Sequence, residues 1–321
     1  MAILPLTTVG VSTLIVNVIH GAADEPGVID WGVGVYVDGV FSTSLVPTVA
    51  GLNVFTVSLG GGTHSVDLWN SLTVRHRGAC VYSYSVDAGT ATIRTVTPPT
   101  RRMVFYTDSI GVGEVSVPAT QKSFIAQLRG VYPGRIAIFG WGWHSLFDDT
   151  GSVTAGGLYG CGGFPSLTAC AAAIVAYLQR DSPATREVML LIGINDCTLQ
   201  LTDSLLGYWT STAFGTAYGQ FLDAIHAADA GVRIYAISPI ITTQEATANR
   251  FGELPPAYRA QVLAQAATRA SFVTGVDGTT LCKASGIDSF HLHPTNTGHQ
   301  AIFDGTGSAG NGNSMRAVLS V

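Results

Sequence analysis

The chain has 321 residues, of which 47% are hydrophobic and only 12% are charged. This length allows one large domain or two moderate domains, each with its own apolar core. The formal net charge is −5 and the chain has no basic run, so we expect no nucleic-acid partner. No uninterrupted apolar stretch reaches the roughly 20 residues that a membrane span needs, so we expect no such span.

The first residues, MAILPLTTVGVSTLIVNVIHG, contain no basic segment and no clear cleavage site, and they alternate like a strand. We therefore interpret them as mature sequence rather than as a signal peptide. The five cysteines form no CxxC pair, so the spacing of a metal site is absent. One or two disulfides and buried free thiols are both compatible with this pattern, and we favour a secreted or extracellular location.

Residues 1–96 have the pattern of an all-β region. Short runs such as TLIVNVIHG and ACVYSYSVDAG are rich in Val, Ile, Thr and aromatic residues, with Gly, Asp and Asn between them. This spacing is typical of a sandwich, and we predict a small, jelly-roll-like β-sandwich accessory domain over residues 1–96. The two prolines in TPPTRR predict a linker at residues 97–102.

From residue 103 to 321 short apolar runs alternate with helix-like segments. The runs MVFYTDS, RIAIFG, EVMLLIG, VRIYAISP and FVTGVDG are almost continuous, as strands buried on both faces require. Between them, segments such as TAYGQFLDAIHAADAG have apolar residues at helical spacing. The alternation predicts a doubly wound α/β domain with a mainly parallel sheet over residues 103–321.

Polar or glycine residues follow three of these apolar runs. Ser109 follows MVFYTD, Gly140 follows RIAIF and Asn195 follows EVMLLIG, and a histidine-rich loop, IDSFHLHPTNTGH, comes last. Ligands of parallel α/β sheets bind at the carboxyl ends of the strands. We therefore expect these groups to converge on one edge of the sheet.

The segments TDSIGVG, FGWGW, GIND and DSFHLHPTNTGH resemble, in this order, the four sequence blocks of the SGNH, or GDSL-like, hydrolase superfamily. The resemblance covers residues 103–305. It implies a flavodoxin-like, three-layer α/β/α domain that hydrolyses esters through an acyl-enzyme on serine, with no metal or organic cofactor. A β-sandwich before such a domain also resembles the layout of some carbohydrate esterases, which implies acetyl or other short acyl groups on carbohydrate.

By this resemblance Ser109 matches the nucleophile, which needs a neighbouring base to remove its proton. Taken alone, the same stretch would be a tight turn or a helix cap. Members of the superfamily normally have glycine before the Asp-Ser pair, and this chain has Thr107 there. Since a β-branched residue resists positive φ, either position 107 is extended or the turn is built differently.

Two histidines compete for the role of the base. Asp288 and His291 have the Asp-x-x-His spacing of the superfamily, whereas His293 has the usual five-residue distance to Gly298. We favour His291, oriented by Asp288, because an Asp–His hydrogen bond is more demanding than the entry angle of the following helix. His293 is the alternative, and the histidine that is not the base would be a loop or substrate-contact residue.

The resemblance also implies an oxyanion hole, formed by the backbone N–H groups of Ser109 and Gly140 and by the side-chain amide of Asn195. Gly142 fits nearly as well as Gly140, which we prefer because it directly ends its strand. Asn195 has an alternative interpretation as a turn residue. We expect Asp196 to organise its loop and assign it no chemistry.

Other conspicuous side chains lie between the second and third blocks. Trp141, Trp143 and His144 would either wall a substrate pocket or pack in the core. We interpret Asp148 and Asp149 as residues of a solvated loop rather than as paired catalytic carboxylates.

The leading hypothesis is therefore a serine esterase whose substrates are small acyl esters or acylated carbohydrates. An acyltransferase with the same triad is the alternative, since an alcohol and water compete for one acyl-enzyme. A third hypothesis is a non-catalytic glycan-binding or surface protein with a degenerate hydrolase domain. Trp31 and Trp69 of the β region would suit stacking on sugars, although core packing is the more common role of tryptophan.

Overall fold

The chain is a mixed α/β protein in which an antiparallel region precedes a parallel sheet flanked by helices. The computed structural model describes residues 3–20, 33–49, 51–70, 80–94, 99–113, 122–140, 146, 166–197, 210–249, 251–288 and 292–321.

The first region consists of antiparallel strands in two sheets. The described strands are β1 (Ile3–Val9), β2 (Thr13–His20), β3 (Val33–Val37), β4 (Val40–Leu45), β5 (Gly51–Ser58), β6 (Thr63–Asn70), β7 (Cys80–Val86) and β8 (Thr90–Ile93). One sheet has the order β4-β3-β6-β1-β8 and the other has the order β5-β2-β7. The predicted β character of this region is confirmed.

Alternate residues of these strands point into one apolar core. In β2, Leu14, Val16 and Val18 are fully buried, and they share a cluster with residues of the other sheet such as Leu6 and Val35. This is the pattern expected when each sheet has one face on the core and one face in water. The two sheets therefore share a single hydrophobic core.

The second region is built on a parallel sheet of the order β10-β9-β11-β12-β13. Its strands are β9 (Arg101–Thr107), β10 (Arg135–Gly140), β11 (Thr185–Leu191), β12 (Val232–Ile237) and β13 (Val273–Val276). Counted from β9, this order is 2-1-3-4-5, the flavodoxin-like order, in which ligands bind where the winding reverses between the first and third strands. Here that point lies between β9 and β11.

Helices connect the strands of this sheet, and both faces of its strand β9 are covered. Residues Arg102 to Thr107 of β9 are all buried, and successive strand residues point to opposite faces, so neither face is open to water. The described helices are α1 (Ser109–Val112), α2 (Phe124–Arg129), α3 (Leu167–Leu178), α4 (Ile194–Cys197), α5 (Ser211–Ala228), α6 (Pro255–Ala267), α7 (Asn296–Asp304) and α8 (Met315–Leu319). None of them combines the length and the apolar character that crossing a membrane requires.

The strand β9 begins at Arg101, so the last two residues of the predicted linker belong to the sheet. Arg101 donates from Nη2 to Glu187 of the neighbouring strand at 2.8 Å, and Arg102 forms an ion pair with Asp181. The sequence pattern does not reveal that both arginines have carboxylate partners.

The two regions meet at a cation–π contact. The guanidinium of Arg129, the last residue of α2, lies 4.8 Å from the ring centre of Trp69 on β6. Tyr36 of β3 stacks on the same tryptophan, with its ring centre 4.2 Å from that of Trp69. Trp69 therefore packs against two side chains rather than being free for sugar stacking, and Trp31 lies outside the described residues.

Three cysteines, Cys170, Cys197 and Cys282, are buried free thiols. Burial raises the pKa of the Cys197 thiol to about 12 and that of Cys282 to about 11. The sequence allows either disulfides or buried free thiols, and these three cysteines are buried free thiols.

Candidate active site

The candidate nucleophile lies on a tight turn between β9 and α1. Asp108 caps the helix because its Oδ1 accepts a hydrogen bond from the backbone N–H of Ile110 at 2.9 Å. Ser109 is the first helical residue and is only 5% exposed. Thr107 ends β9 in an extended conformation, so this position does not need the positive φ that would favour glycine. Of the two possibilities that the sequence allows, an extended position 107 or a differently built turn, the structure has the extended position.

His293 lies beside this serine. Its Nε2 is 2.9 Å from Oγ of Ser109, a hydrogen-bond distance between residues 184 positions apart in the chain. His293 is the alternative base of the sequence analysis. The preferred candidate, His291, lies outside the described residues.

Asp288 approaches the other nitrogen of the same ring, with 3.8 Å between its Oδ2 and Nδ1 of His293. This is an ion-pair distance and is longer than a hydrogen bond. The second carboxylate oxygen, Oδ1, accepts hydrogen bonds from the backbone N–H groups of Leu292 and His293 at 3.2 and 3.1 Å. Burial raises the pKa of Asp288, but the His293 ring and these N–H groups outweigh burial and hold the pKa below its usual range.

The backbone of this loop explains how a five-residue separation brings Asp288 and His293 together. The N–H of Asp288 donates to the carbonyl of His293 at 2.8 Å, and Ile287 and Pro294 form an isolated antiparallel bridge. The two ends of the loop are therefore held side by side. The helix α7 begins directly afterwards at Asn296, so Gly298, five residues after His293, lies in its first turn.

The register of the sheet aligns the candidate oxyanion donors with Ser109. Thr107 pairs with Gly140 on one side and with Leu191 on the other, so β9, β10 and β11 end at the same level. A Cβ on Gly140 would overlap the Thr107 carbonyl group and lie 2.7 Å from its carbon, so only glycine allows the strands to approach this closely. Gly142 lies outside the described residues.

Asn195 follows β11 in the short helix α4 and is 8% exposed. The turn that leads to it depends on Gly193, whose φ of +118° is a conformation that other residues rarely adopt. A Cβ at this position would also lie 2.8 Å from the ring of Phe214. The GIND segment therefore needs its glycine for both backbone conformation and space.

Two further polar residues support the Asn195 segment. Oδ1 of the buried Asp196 accepts a hydrogen bond from the N–H of Leu146 at 2.9 Å, which ties α4 to the loop after β10. This agrees with the loop role expected for Asp196. Asn249 donates from Nδ2 to the carbonyl of Cys197 at 3.0 Å. Sequence reasoning did not identify Asn249, because no local motif marks a residue that lies 52 positions from its acceptor.

Several residues singled out from the sequence lie outside the described residues. They are Trp141, Trp143, His144, Asp148 and Asp149. The other candidate residues lie in two places: Ser109, Gly140 and Asn195 at or beyond the carboxyl ends of parallel strands, and Asp288 and His293 in the loop before α7.

The side chains of Ser109, His293 and Asp288 follow one another as a hydroxyl, an imidazole and a carboxylate. Groups in this order can activate the hydroxyl for attack on a carbonyl group.

Solved structures similar to this chain include an acyltransferase and carbohydrate esterases. The salicylyl-acyltransferase SsfX3 of a tetracycline biosynthetic pathway is 17% identical, with a TM-score of 0.68 over 94% of this chain and 79% of that chain. An active-site mutant of a family two carbohydrate esterase from Clostridium thermocellum is 15% identical, with a TM-score of 0.62 over 94% of this chain and 88% of that chain. At these identities the similarity establishes the fold.

A third similar structure is a carbohydrate esterase family 2 enzyme plus carbohydrate binding domain from Corynascus thermopiles (Myceliophthora fergusii). It is 14% identical, with a TM-score of 0.64 over 92% of this chain and 89% of that chain. No sequence among the curated proteins matches this chain.

The sequence itself matches the profile of the GDSL-like lipase/acylhydrolase family over residues 139–301, just over half of the chain. The matched segment runs from the end of β10 through Asn195 and Asp288 to α7, and so includes most of the residues described above. The parallel sheet, its strand order and the similar structures agree with this match. The chain belongs to the GDSL-like lipase/acylhydrolase family, within the SGNH hydrolase superfamily.

Proposed function

We propose that this protein is a serine esterase that hydrolyses short-chain acyl esters through an acyl-enzyme on Ser109. The observation that carries the proposal is the 2.9 Å contact between Nε2 of His293 and Oγ of Ser109. A serine hydroxyl becomes an effective nucleophile when an adjacent base takes its proton, and this distance allows direct proton transfer. In this proposal His293 has the role for which the sequence alone favoured His291.

The reaction has two steps that use the same groups. In acylation, Oγ of Ser109 bonds to the acyl carbon while its proton passes to Nε2 of His293, and the negative charge moves to the carbonyl oxygen. The intermediate then collapses, and the departing alcohol takes the proton from His293. In deacylation, a water molecule gives a proton to His293 as its oxygen bonds to the acyl carbon. The bond from the acyl carbon to Oγ then breaks, Oγ takes the proton back from His293, and the carboxylic acid leaves.

Asp288 would orient the imidazole and stabilise its protonated form. Its lowered pKa keeps it a carboxylate at neutral pH, as this role requires. The 3.8 Å separation from Nδ1 is longer than a hydrogen bond, and we expect it to shorten when the ring becomes positively charged. The N–H groups on Oδ1 hold the carboxylate in place meanwhile.

The oxyanion would be stabilised by the N–H groups of Ser109 and Gly140 and by the side-chain amide of Asn195. The common level at which β9, β10 and β11 end supports this assignment. Each such donor typically lowers the activation free energy by about 3–4 kcal/mol, because it is oriented before the charge develops.

For the substrate we favour acetyl or similarly short acyl groups on carbohydrate. This rests on similar structures that are carbohydrate esterases of family two, one of which was solved in complex with cellohexaose. Transfer of the acyl group to an alcohol is the second candidate function. It is supported by the similarity to an enzyme described as a salicylyl-acyltransferase.

For the domains we infer a jelly-roll-like β-sandwich accessory domain at residues 1–96. The predicted linker at residues 97–102 is shortened to residues 97–100, and the catalytic domain, predicted from residue 103, is extended to residues 101–321, because Arg101 and Arg102 belong to β9. The shared core of the two antiparallel sheets supports the sandwich. The contact of Trp69 with Arg129 favours a structural role of the accessory domain over sugar binding through this tryptophan.

The proposal is tested by replacing Ser109. We expect S109A to lower kcat for p-nitrophenyl acetate by about 10⁵-fold or more, since the nucleophile is lost. The matched control is S123A, which removes another buried serine at a helix start, the cap of α2, with Oγ 3.2 Å from the N–H of Ala126. We expect S123A to cost about 1 kcal/mol of stability and to leave kcat almost unchanged. Wild-type activity in S109A would contradict the proposal.

A second measurement separates hydrolysis from transfer. The wild-type enzyme is given the same ester with and without a sugar or simple alcohol as acceptor, and the free acid and the new ester are quantified. A hydrolase releases mainly acid at all acceptor concentrations. New ester as the main product would favour the acyltransferase instead.

A further inference from the structure

Thr107, which replaces the superfamily's glycine, lies at the centre of the candidate site. It is fully buried, it is the last residue of β9, and it pairs with both Gly140 and Leu191. It precedes Ser109 by two positions in the chain. Any displacement of Thr107 therefore acts on the start of the nucleophile turn and on the ends of both neighbouring strands.

The space for the Thr107 side chain comes from Gly111, on the other side of Ser109. A Cβ on Gly111 would overlap the Oγ1 and Cγ2 atoms of Thr107 and would lie 2.6 Å from its Cβ. Real Cβ atoms do not approach other atoms this closely, so one of the two side chains has to be absent. Gly111 has an ordinary helical φ, so the requirement for glycine here is one of space and not of backbone conformation.

Gly140 closes the remaining side of this space. A Cβ on Gly140 would lie 3.2 Å from Cγ2 of Thr107, in addition to its overlap with the Thr107 carbonyl group. The helix α1 packs on both β9 and β10. The Thr107 side chain is thus enclosed between the turn that carries Ser109 and the strand end that carries Gly140.

We infer that Thr107 is a positioning residue: its side chain fills the space that Gly111 leaves and holds the Ser109 turn against the end of β10. Thr107 does not contact the reacting atoms itself. It acts by fixing the distance of Ser109 from His293 and from Gly140. The inference rests on the proposed function, because the positioned groups are the proposed nucleophile and oxyanion donor.

Thr107 and Gly111 must then depend on each other. Adding a methyl group at position 111 pushes the helix α1 away from β9, and with it Ser109. Removing the side chain at position 107 leaves a cavity and a flexible residue under the same turn. Both changes together restore one side chain to the shared space. The two substitutions therefore should not have independent effects on kcat.

The test is a double-mutant cycle with T107G, G111A and T107G/G111A, in which kcat, KM and Tm are measured for p-nitrophenyl acetate hydrolysis. We expect G111A to lower kcat by about 100-fold with little change in KM, since a displacement near 1 Å has an effect of this size. T107G should lower kcat by roughly tenfold, and the double variant should return to within about tenfold of the wild type. If G111A does not fold, recovery of folding and kcat in the double variant gives the same result.

The control is G275A on β13, where a Cβ would lie 3.1 Å from Ala266 and far from the nucleophile turn along the sheet. It should change Tm slightly and leave kcat unchanged. If the wild type is active, two results overturn this inference alone. In the first, the effects of the two substitutions on kcat simply multiply; in the second, the double variant regains the Tm of the wild type but not its kcat. An inactive wild type that a fluorophosphonate does not label at Ser109 overturns the proposed function as well.

Discussion

The antiparallel strands of residues 3–93 and the parallel strands of residues 101–276 differ in how they bury polar groups. In β5 only alternate residues point inward, and five of its eight residues are exposed. In β9 every residue after Arg101 is buried. A parallel strand covered on both faces has no exposed face on which to display a functional group, so its chemistry has to lie at its end.

Two asparagines illustrate this difference, since both are only 8% exposed. Asn53 of β5 accepts from the N–H of Thr48 at 3.1 Å and donates to the carbonyl of Val49 at 2.8 Å, so it stabilises a turn. Asn195 lies beyond the end of β11, at the level of Ser109. Burial alone therefore does not distinguish a structural polar residue from a candidate oxyanion donor, whereas its position relative to the strand end does.

The largest expected effect is that of removing His293. We expect H293A to lower kcat by about 10⁵-fold, because Ser109 loses the base that accepts its proton. H291A should lower kcat by less than about tenfold, with both variants assayed on p-nitrophenyl acetate and their folding checked by circular dichroism. The reverse order of the two effects would return the role of the base to His291.

Replacing Asp288 should affect both catalysis and the acid stability of the fold. We expect D288N to lower kcat by about 10³–10⁴-fold, since the imidazole loses its carboxylate. The pKa of Asp288 is held below its usual value, so its charge favours the folded state above about pH 4 and this contribution is lost as the pH falls through the folded-state pKa. Urea unfolding from about pH 6 down to pH 3 should therefore show a shallower loss of stability in D288N.

Asp87 of the antiparallel region is the control for this prediction. The backbone N–H of Thr13, followed by those of Ala88 and Ser12, holds the pKa of Asp87 below its usual range as well. D87N should also make the loss of stability in acid shallower, but it should leave kcat unchanged. If D87N reduced kcat as strongly as D288N, the two regions would not be functionally distinct.

Asn195 and Asn53 give a more moderate contrast. N195A should lower kcat by about 10²–10³-fold at nearly constant stability, because one oxyanion donor is lost. N53A should lower the free energy of unfolding by about 1–3 kcal/mol, because it leaves buried backbone groups without partners, and it should keep wild-type kcat. Equal losses of kcat in the two variants would remove the distinction drawn above.

The smallest effect on catalysis is expected at the contact between the regions. Arg129 lies near the first residues of β10, since its Nη2 donates to the carbonyl of Ile136 at 3.2 Å, and so it lies at the end of the sheet opposite to Ser109. W69A should lower the free energy of unfolding by about 2 kcal/mol, because a packed ring and its cation–π contact are lost. kcat should stay within about twofold of the wild type, and a larger fall would indicate that the accessory region shapes the active site.

Most of the catalytic fold can be predicted from the sequence because its signals are local. Strands buried on both faces appear as apolar runs. The helix α5 overlaps the segment TAYGQFLDAIHAADAG, although it begins five residues earlier at Ser211, and α6 begins at a proline. The proximity of His293 to Asp288 has no local signal. It depends on the backbone hydrogen bond from Asp288 to the His293 carbonyl, which closes the loop.

The packing of Trp69 was equally hidden, because its partner Arg129 is 60 residues away and carries a charge that sequence patterns assign to the surface. Burial lowers the pKa of Arg129 to about 10, so this side chain remains positively charged at neutral pH within the contact. The contact with the aromatic ring offsets part of the cost of removing the guanidinium from water. Such a contact does not change the hydrophobic periodicity of the sequence, so the sequence pattern does not reveal it.

The shared space of Thr107 and Gly111 also limits the order in which these two positions can change. With Thr107 present, a side chain at position 111 would clash, whereas glycine at position 107 would only leave a cavity. A stepwise route from this pair to one with a side chain at position 111 therefore has to lose the Thr107 side chain first.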